Sequence, residues 1–513
     1  MQPVMTKSAF VERGKQAVSW LGKCYHSVIF STVVIGSTLL YIAYYLGMNA
    51  TKGALAFTWQ KPVSLVMIVH GLVLLNTILQ KKPIELRILL LNVLWMFLSR
   101  CLLGNYTFEF DDECFWAIML CLMFASGVSL EAKRRKLLLV LVTLELVIVT
   151  GVWGAIGLLT GLNQQSLEGF EAITIKLHSF VPLDQHLEIF TYRTIVAAYY
   201  LITSGLAIYQ LMHTPNWFWR SVAFFYLPLA FIALALQDCR SISVGFAILL
   251  ATFMVERISL KQINNSKYIH YIILLVVWIV TSVLVYTSLA FCHEAILGER
   301  KNQPSTQVTA NTPAVSIPSA TTVIPSAPVS VIGNHSFSFL VGLLQSVQTN
   351  PHSRGDWWSI TTFSGRTDVW EATIPTLMDN KKAAVLGQPE KTCMDAINAH
   401  IARDPNPDVP VVIISHMHNL WLEQLVIAGI PGLLLYVVLL ALLIYRIVRV
   451  FTSSHNQITQ SWRILGVLFV AFLLYGAMEP LLSLRIPIAS LLFCVIMGVF
   501  VADTSELGIA STV

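Results

Sequence analysis

Residues 269–291 have the sequence IHYIILLVVWIVTSVLVYTSLAF, which contains no Asp, Glu, Lys or Arg. A transmembrane helix needs about 20 consecutive apolar residues, so this stretch is long enough to cross a bilayer by itself. Similar runs recur along the chain, which is 56% hydrophobic and only 12% charged, whereas soluble proteins carry about 25% charged residues. The sequence therefore predicts an all-α polytopic membrane protein with about 12 transmembrane helices. The expected spans are residues 28–47, 62–79, 86–103, 113–130, 137–159, 193–212, 219–236, 241–255, 269–291, 420–447, 464–482 and 486–502.

The distribution of lysine and arginine predicts the orientation of these spans, because cytoplasmic connections are enriched in both. Basic residues collect in alternate connections, for example residues 133–136 after the fourth span and Arg446 and Arg463 after the tenth. The opposite connections contain acidic residues such as Asp111 and Asp112. We therefore expect a multi-pass protein of the cytoplasmic (inner) membrane with both termini in the cytoplasm. The net charge of +5 is modest and does not indicate a nucleic-acid partner.

Five regions follow from this topology. The largest connection is an extracytoplasmic loop at residues 292–419. Its 303–330 tract is rich in Thr, Ser, Pro and Ala and has too few apolar residues to fold. We expect residues 336–419 to form a helical subdomain at the membrane surface, because tryptophan and phenylalanine concentrate there. The remaining regions are a cytoplasmic segment 1–27, transmembrane helices one to nine in 28–291, helices ten to twelve in 420–502, and a cytoplasmic tail 503–513.

Two arginines on the extracytoplasmic side are candidates for anion binding. Arg240 opens the eighth span, and its alternative role is a snorkelling side chain paired with Asp238. Arg366 lies in the sequence Ser-Gly-Arg-Thr-Asp-Val-Trp, where we expect a helix to begin, and the N–H groups of a helix N-terminus also favour anions. The alternative for Arg366 is a structural ion pair with Asp368 or Glu371.

Arg193 and a histidine pair complete the candidate set. Arg193 opens the sixth span, where an interface anchor is the alternative. His416 and His418 precede the tenth span, but no third ligand with recognisable spacing accompanies them, so we expect no metal site. His418 suits a general base instead, because its reference pKa of about 6.5 lies near neutral pH. The sequence Gly-Ile-Pro-Gly at residues 429–432 predicts a break that ends a short surface helix and tilts the following span.

The missing Walker A sequence and the spacing of the cysteines limit the possible chemistry. The chain contains no Walker A sequence, so nucleotide hydrolysis is not expected, and no cofactor is expected. The eight cysteines show no CxxC spacing. Cys292 and Cys393 would share the extracytoplasmic loop, and the sequence leaves open whether they form a disulfide.

The order of these motifs resembles the signature of the O-antigen ligase superfamily. The matching parts are residues 364–370, residues 418–432 and the Arg240-Ser241 pair. The resemblance runs from about Arg193 to the tenth span, whereas the first five spans match in hydropathy alone. Two departures are a longer extracytoplasmic loop and Cys239, which stands where a small hydroxyl residue is expected. Both bear on the identity of the acceptor more than on the mechanism.

The resemblance implies a GT-C-like membrane glycosyltransferase that needs neither metal nor cofactor. Such an enzyme moves a glycan from an undecaprenyl-diphosphate carrier to a hydroxyl of a lipid, glycan or protein acceptor, on the extracytoplasmic side of the bilayer. Arg240, Arg366 and Arg193 would bind the donor diphosphate, because guanidinium groups bind phosphates bidentately. His418 would remove the proton from the acceptor hydroxyl.

Two alternatives remain at the level of the sequence. A polymerase of exported polysaccharide repeat units would share the fold, the donor and the candidate residues with a ligase. A multi-pass transporter or flippase would instead place its charged residues along a central pathway near the membrane midplane.

Overall fold

The computed structural model describes most of the helical parts of the chain. The described residues are 28–50, 60–80, 83–103, 112–159, 174–175, 187–188, 193–237, 240–257, 267–301, 366–403, 419–453, 457–476 and 487–506. The 303–330 tract, His416 and His418 lie outside these ranges, as do residues 1–27 and 507–513, whereas the first four residues of the expected tail 503–513 belong to the last helix.

Each apolar run found in the sequence is occupied by a long helix. The helices that correspond to these runs are α1 (Val28–Ala50), α2 (Gln60–Leu79), α3 (Ile84–Leu103), α4 (Asp112–Ser129), α5 (Ala132–Leu159), α6 (Arg193–His213), α7 (Trp217–Gln237), α8 (Arg240–Arg257), α9 (Lys267–Lys301), α13 (Leu420–Thr452), α14 (Gln457–Gly476) and α15 (Pro487–Glu506). Three further helices precede α13: α10 (Arg366–Asp379), α11 (Lys381–Leu386) and α12 (Glu390–Arg403). Within the described ranges the exception to helix is one antiparallel pair of two-residue strands, β1 (Thr174–Ile175) and β2 (Leu187–Glu188).

Five segments are long and apolar enough to cross a membrane by length and composition: Ile84–Leu103, Trp217–Ala235, Leu275–Cys292, Leu420–Thr452 and Thr459–Gly476. This confirms the expectation of an all-α membrane protein. Twelve spans and a GT-C arrangement stay predictions.

The core of the bundle is built where helices approach closely at small residues. Helices α4 and α15 cross at Gly127 and Gly498, where a Cβ on Gly127 would lie 2.3 Å from the carbonyl oxygen of Val495. Such close backbone approach is a common way to pack helices in lipid, where apolar side chains gain little from leaving the solvent. Helix α14 is central, with 78% of its apolar window buried, whereas the Leu275–Cys292 window of α9 is 11% buried.

At one end of the bundle, three buried arginines are held by carboxylates, and we call this the paired end. Arg135 of α5 binds Asp503 at 2.5 Å and Glu506 at 2.5 Å, both on α15. Arg446 of α13 binds Glu85 of α3 and donates to the Ser505 hydroxyl at 2.8 Å.

The third arginine of the paired end joins α14 to α8. Arg463 binds Glu256 at 2.9 Å, and both side chains are almost fully buried. It also donates to the backbone oxygens of Phe451 and Ser453, each at 3.2 Å. The sequence placed Arg446 and Arg463 in a connection, but α13 continues to Thr452 and α14 begins at Gln457, so both lie within helices. Their charge is neutralised inside the protein because carboxylates from other helices reach them.

Helices α10 to α12 share a small core with the first part of α13, and this core answers the question, left open by the sequence, of whether Cys292 and Cys393 form a disulfide. Cys393 is fully buried there with Ala372, Leu377 and Ile397. Cys292 instead packs against the main core from α9, and both cysteines are free thiols. Burial raises the pKa of the Cys393 thiol to about 11, so this thiol stays protonated and unreactive near neutral pH.

Candidate functional site

The three candidate arginines are the first residues of α6, α8 and α10: Arg193, Arg240 and Arg366. The sequence predicted that a helix begins in this motif, and it begins at Arg366, with Thr367 in its first turn. The described structure fixes where these helices begin. It does not extend to the three side chains.

Helix packing shows that α6 and α8 begin at the same end of the bundle. Leu201 of α6 and Ala471 of α14 both contact Gly245 of α8. At about 1.5 Å per residue, Arg193 lies about 12 Å from the level of this contact along α6, and Arg240 lies about 8 Å from it along α8. Both lie in the direction in which α14 ends. Contacts in the opposite direction lead to Arg463 and Glu256 at the paired end. We call the end where α6 and α8 begin the candidate end.

Helix α13 also begins at the candidate end. Leu420, its first residue, contacts Gly476, the last residue of α14. Asn419 caps the helix, because its side-chain oxygen accepts hydrogen bonds from the backbone N–H groups of Trp421 at 2.9 Å and Leu422 at 3.2 Å. Asparagine is among the residues preferred at this position. His418 immediately precedes the cap in the sequence.

The break predicted at Gly-Ile-Pro-Gly is present. Gly429 has φ 64° and ψ −171°, which is not a helical conformation, so α13 consists of two helices, residues 420–428 and 430–452. The rings of Trp421 and Tyr436 are 6.1 Å apart between centroids, although fifteen residues of straight helix would separate them by about 22 Å. The first helix is therefore sharply bent against the second.

The sequence predicted a short surface helix before the break, and this was wrong. Residues 420–428 are largely buried, with Leu420, Val426, Ile427 and Ala428 all fully buried. Glu423 is also fully buried. The helix is enclosed because α14, α3 and the helices of the long connection pack around it.

The break frees backbone carbonyls, and neighbouring segments bind them. Pro431 has no N–H group, and the conformation of Gly429 interrupts the regular pattern of helix hydrogen bonds. The backbone N–H of Gln388, between α11 and α12, donates to the oxygen of Val426 at 2.8 Å. The indole Nε1–H of Trp95, on α3, donates to the oxygen of Ala428 at 2.7 Å. Buried carbonyls without such donors would cost about 1–3 kcal/mol each.

Two glycines make the approach of α11 to the break possible. Gly387 and Gly429 both have positive φ, at 82° and 64°. A Cβ on Gly387 would lie 2.4 Å from the oxygen of Ile427, and one on Gly429 would lie 2.3 Å from the oxygen of Val385. Both positions therefore require glycine for conformation and for space.

A third contact fixes the connection helices to the membrane helices. Glu113, in the first turn of α4, accepts a hydrogen bond at 3.0 Å from the backbone N–H of Glu390, the first residue of α12. A carboxylate is stabilising at this position, because the N-terminus of a helix carries partial positive charge. Helices α10 to α12 are thereby docked at the candidate end, and Arg366 begins the first of them.

Three residues of this end, Asn419, Trp95 and Glu423, were not singled out by the sequence, whereas the glycine break was. Asn419 and the glycine break carry recognisable signals, because both belong to known capping and breaking patterns. Trp95 carries none, since it lies in a continuous apolar run. Glu423 has a weak signal, because it occupies the first turn of a helix, where acidic residues are common.

Two helices at the candidate end begin with an arginine. Cations at helix N-termini are disfavoured by about 0.3–1 kcal/mol, because the helix dipole is positive there. Arg193 and Arg240 nevertheless begin α6 and α8, whose first turns contain no acidic residue.

Across the ranges that the structure describes, no three His, Cys, Asp or Glu side chains are grouped as metal ligands. Comparison with protein-family models and with curated proteins found no match for this chain.

Proposed function

We propose that this chain is an O-antigen ligase-like glycosyltransferase, which moves a glycan from an undecaprenyl-diphosphate carrier to an acceptor hydroxyl on the outer face of the cytoplasmic membrane. The observation that supports the proposal best is the start of α6 and α8, at Arg193 and Arg240, at the end of the bundle where Asn419 caps α13. Helix α10, which begins at Arg366, is packed at this same end.

The chemistry of the donor explains why arginines would be placed there. The leaving group is a lipid diphosphate, which gains negative charge as the sugar departs. Each charged hydrogen bond from Arg240, Arg366 or Arg193 would contribute about 1.5–3 kcal/mol, and such bonds are stronger in a site from which water is excluded. Arginines would thus supply the charge stabilisation that divalent ions provide in many phosphate-transfer sites.

His418 would act as the general base towards the acceptor hydroxyl. A positioned base contributes about 10²- to 10⁴-fold in rate. The cap at Asn419 and the bend at Gly429 support this role, because they give the chain next to His418 a defined start and a buried anchor.

The test is glycan transfer by the purified protein in detergent, with undecaprenyl-diphosphate-linked glycan, candidate acceptors and EDTA. Arg240→Ala, Arg366→Ala and His418→Ala should each reduce the transfer rate by at least about 100-fold. The matched control is Arg257→Ala, since Arg257 is the last residue of the same helix α8, at the opposite end, and donates a long hydrogen bond of 3.4 Å to the backbone oxygen of Leu211.

The outcomes separate the candidate functions. A single capped product means a ligase, and a ladder of repeats means a polymerase of exported polysaccharide. Normal transfer in the three variants, or an equal loss in Arg257→Ala, would contradict the proposed site. Substrate movement across liposomes without any transfer would establish a transporter or flippase instead.

A further inference from the structure

The helix formed by residues 420–428 begins beside the proposed base but is not rigidly continuous with the rest of α13. The backbone is non-helical at Gly429, and Pro431 cannot donate a hydrogen bond across the break. The orientation of this helix must therefore be set by contacts from other parts of the chain.

Two contacts from opposite partners hold the end of the helix next to the break. The N–H of Gln388 binds the oxygen of Val426 from the side of α11 and α12. The indole N–H of Trp95 binds the oxygen of Ala428 from α3, at 2.7 Å. Ala428 is the last residue before Gly429, so the bond from Trp95 acts directly at the hinge.

The hydrogen bond from Trp95 fixes the position of the hinge relative to α3, which a non-directional packing contact would not do. It connects residues that are 333 positions apart in the chain, and it ties the hinge to a helix that is long enough to cross the membrane. Trp95 also contacts Gly432 on the other side of the hinge, 3.5 Å from the position of a Cβ there. The same indole thus touches both helices that meet at the break.

We propose that Trp95 is a positioning residue for glycan transfer, because it fixes the angle between residues 420–428 and residues 430–452 and thereby the place of the chain next to Asn419. This inference rests on the proposed function. It assigns to α3, which carries none of the candidate residues, a part in the reaction.

The expected loss of transfer rate follows from how far a small rotation at the hinge moves the start of the short helix. The start of the short helix is about 12 Å from the hinge, so a rotation of about 5° moves it by about 1 Å. A displacement of 1 Å can reduce the rate of an oriented reaction by about 100-fold. Binding of the donor would change little, because Arg193 and Arg240 belong to α6 and α8, outside the core that residues 420–428 share with α10.

The variant Trp95→Phe removes the N–H and keeps an aromatic ring. The matched control is Trp278→Phe, because Trp278 on α9 also donates its indole N–H to one oxygen, that of the Thr252 side chain, at 2.9 Å. We expect kcat to fall at least about 10-fold in Trp95→Phe, with an unchanged KM for the lipid-linked donor. Trp278→Phe should keep both constants.

Hydrogen–deuterium exchange provides a measurement that does not depend on activity. Amides of residues 420–428 should exchange faster in Trp95→Phe than in the wild type, and those of α14 should not. Trp278→Phe should leave residues 420–428 unchanged.

The kinetic and exchange measurements together distinguish failure of the positioning role from failure of the proposed function. Trp95→Phe with wild-type kcat and wild-type exchange would overturn the positioning role. Faster exchange throughout the chain, or equal losses in both variants, would also overturn it, because the effect would be general destabilisation. A wild-type protein that transfers no glycan would overturn the proposed function, and the exchange of residues 420–428 would then show whether Trp95 holds the hinge.

Discussion

The two ends of the helix bundle use arginine in different ways. At the paired end, Arg135, Arg446 and Arg463 lie within helices and are buried against carboxylates from other helices. At the candidate end, Arg193 and Arg240 stand at the first position of a helix, where the helix dipole makes a cation costly.

Under the proposed function, the difference separates arginines that belong to the fold from arginines that bind the donor. An internal carboxylate neutralises an arginine permanently and makes it part of the structure. An arginine at a helix start adds its charge to the N–H groups beside it, so that an anion is favoured there. Substitutions of the paired-end arginines should therefore change stability, and substitutions of Arg193 and Arg240 should change activity.

The largest effect on stability is expected from Arg463→Ala at the paired end. It would leave Glu256 buried without its cation, which costs about 3–5 kcal/mol. Thermal unfolding in detergent should show a lower midpoint. The double variant Arg463→Met with Glu256→Gln should recover much of the loss, because it removes both charges together. An equal loss in the single and double variants would mean that the ion pair does not account for the stability of this end.

An intermediate effect is expected from Gly429→Ala at the candidate end. Its positive φ and the nearby Val385 oxygen make a side chain unfavourable, by about 1–3 kcal/mol. The control is Gly71→Ala in α2, where no atom lies within 4 Å of the added Cβ, and alanine there should stabilise by about 0.5–1 kcal/mol. Equal unfolding midpoints for the two variants would argue against the close packing of α11 on the break.

The smallest effect is expected from Asn419→Ala, which removes the cap of α13. Loss of an N-cap side chain costs about 0.5–2 kcal/mol. Asn419→Asp should retain the stability, because its carboxylate also accepts from the N–H groups of Trp421 and Leu422. Unfolding midpoints of the two variants provide the comparison, and a larger loss in the aspartate variant would contradict the assignment of a cap.

The amino-acid sequence by itself determined the local features of this protein. Long apolar runs predicted the positions of the helices closely, because about 20 consecutive apolar residues of any type are enough to define a membrane span. The break at residues 429–432 was predictable as well, since glycine and proline act on their own backbone. The positions of Arg193, Arg240 and Arg366 at helix starts followed from the same local patterns.

Only the tertiary structure decided which helices are neighbours. In lipid the apolar faces of a helix are alike, so hydrophobic periodicity does not specify a partner. The bond from Trp95 to Ala428 and the ion pair of Arg135 with Asp503 join residues 333 and 368 positions apart. The burial of residues 420–428, the free thiol of Cys393 and the internal pairing of Arg446 depend on such contacts, because each is set by side chains and backbone groups that distant segments bring together.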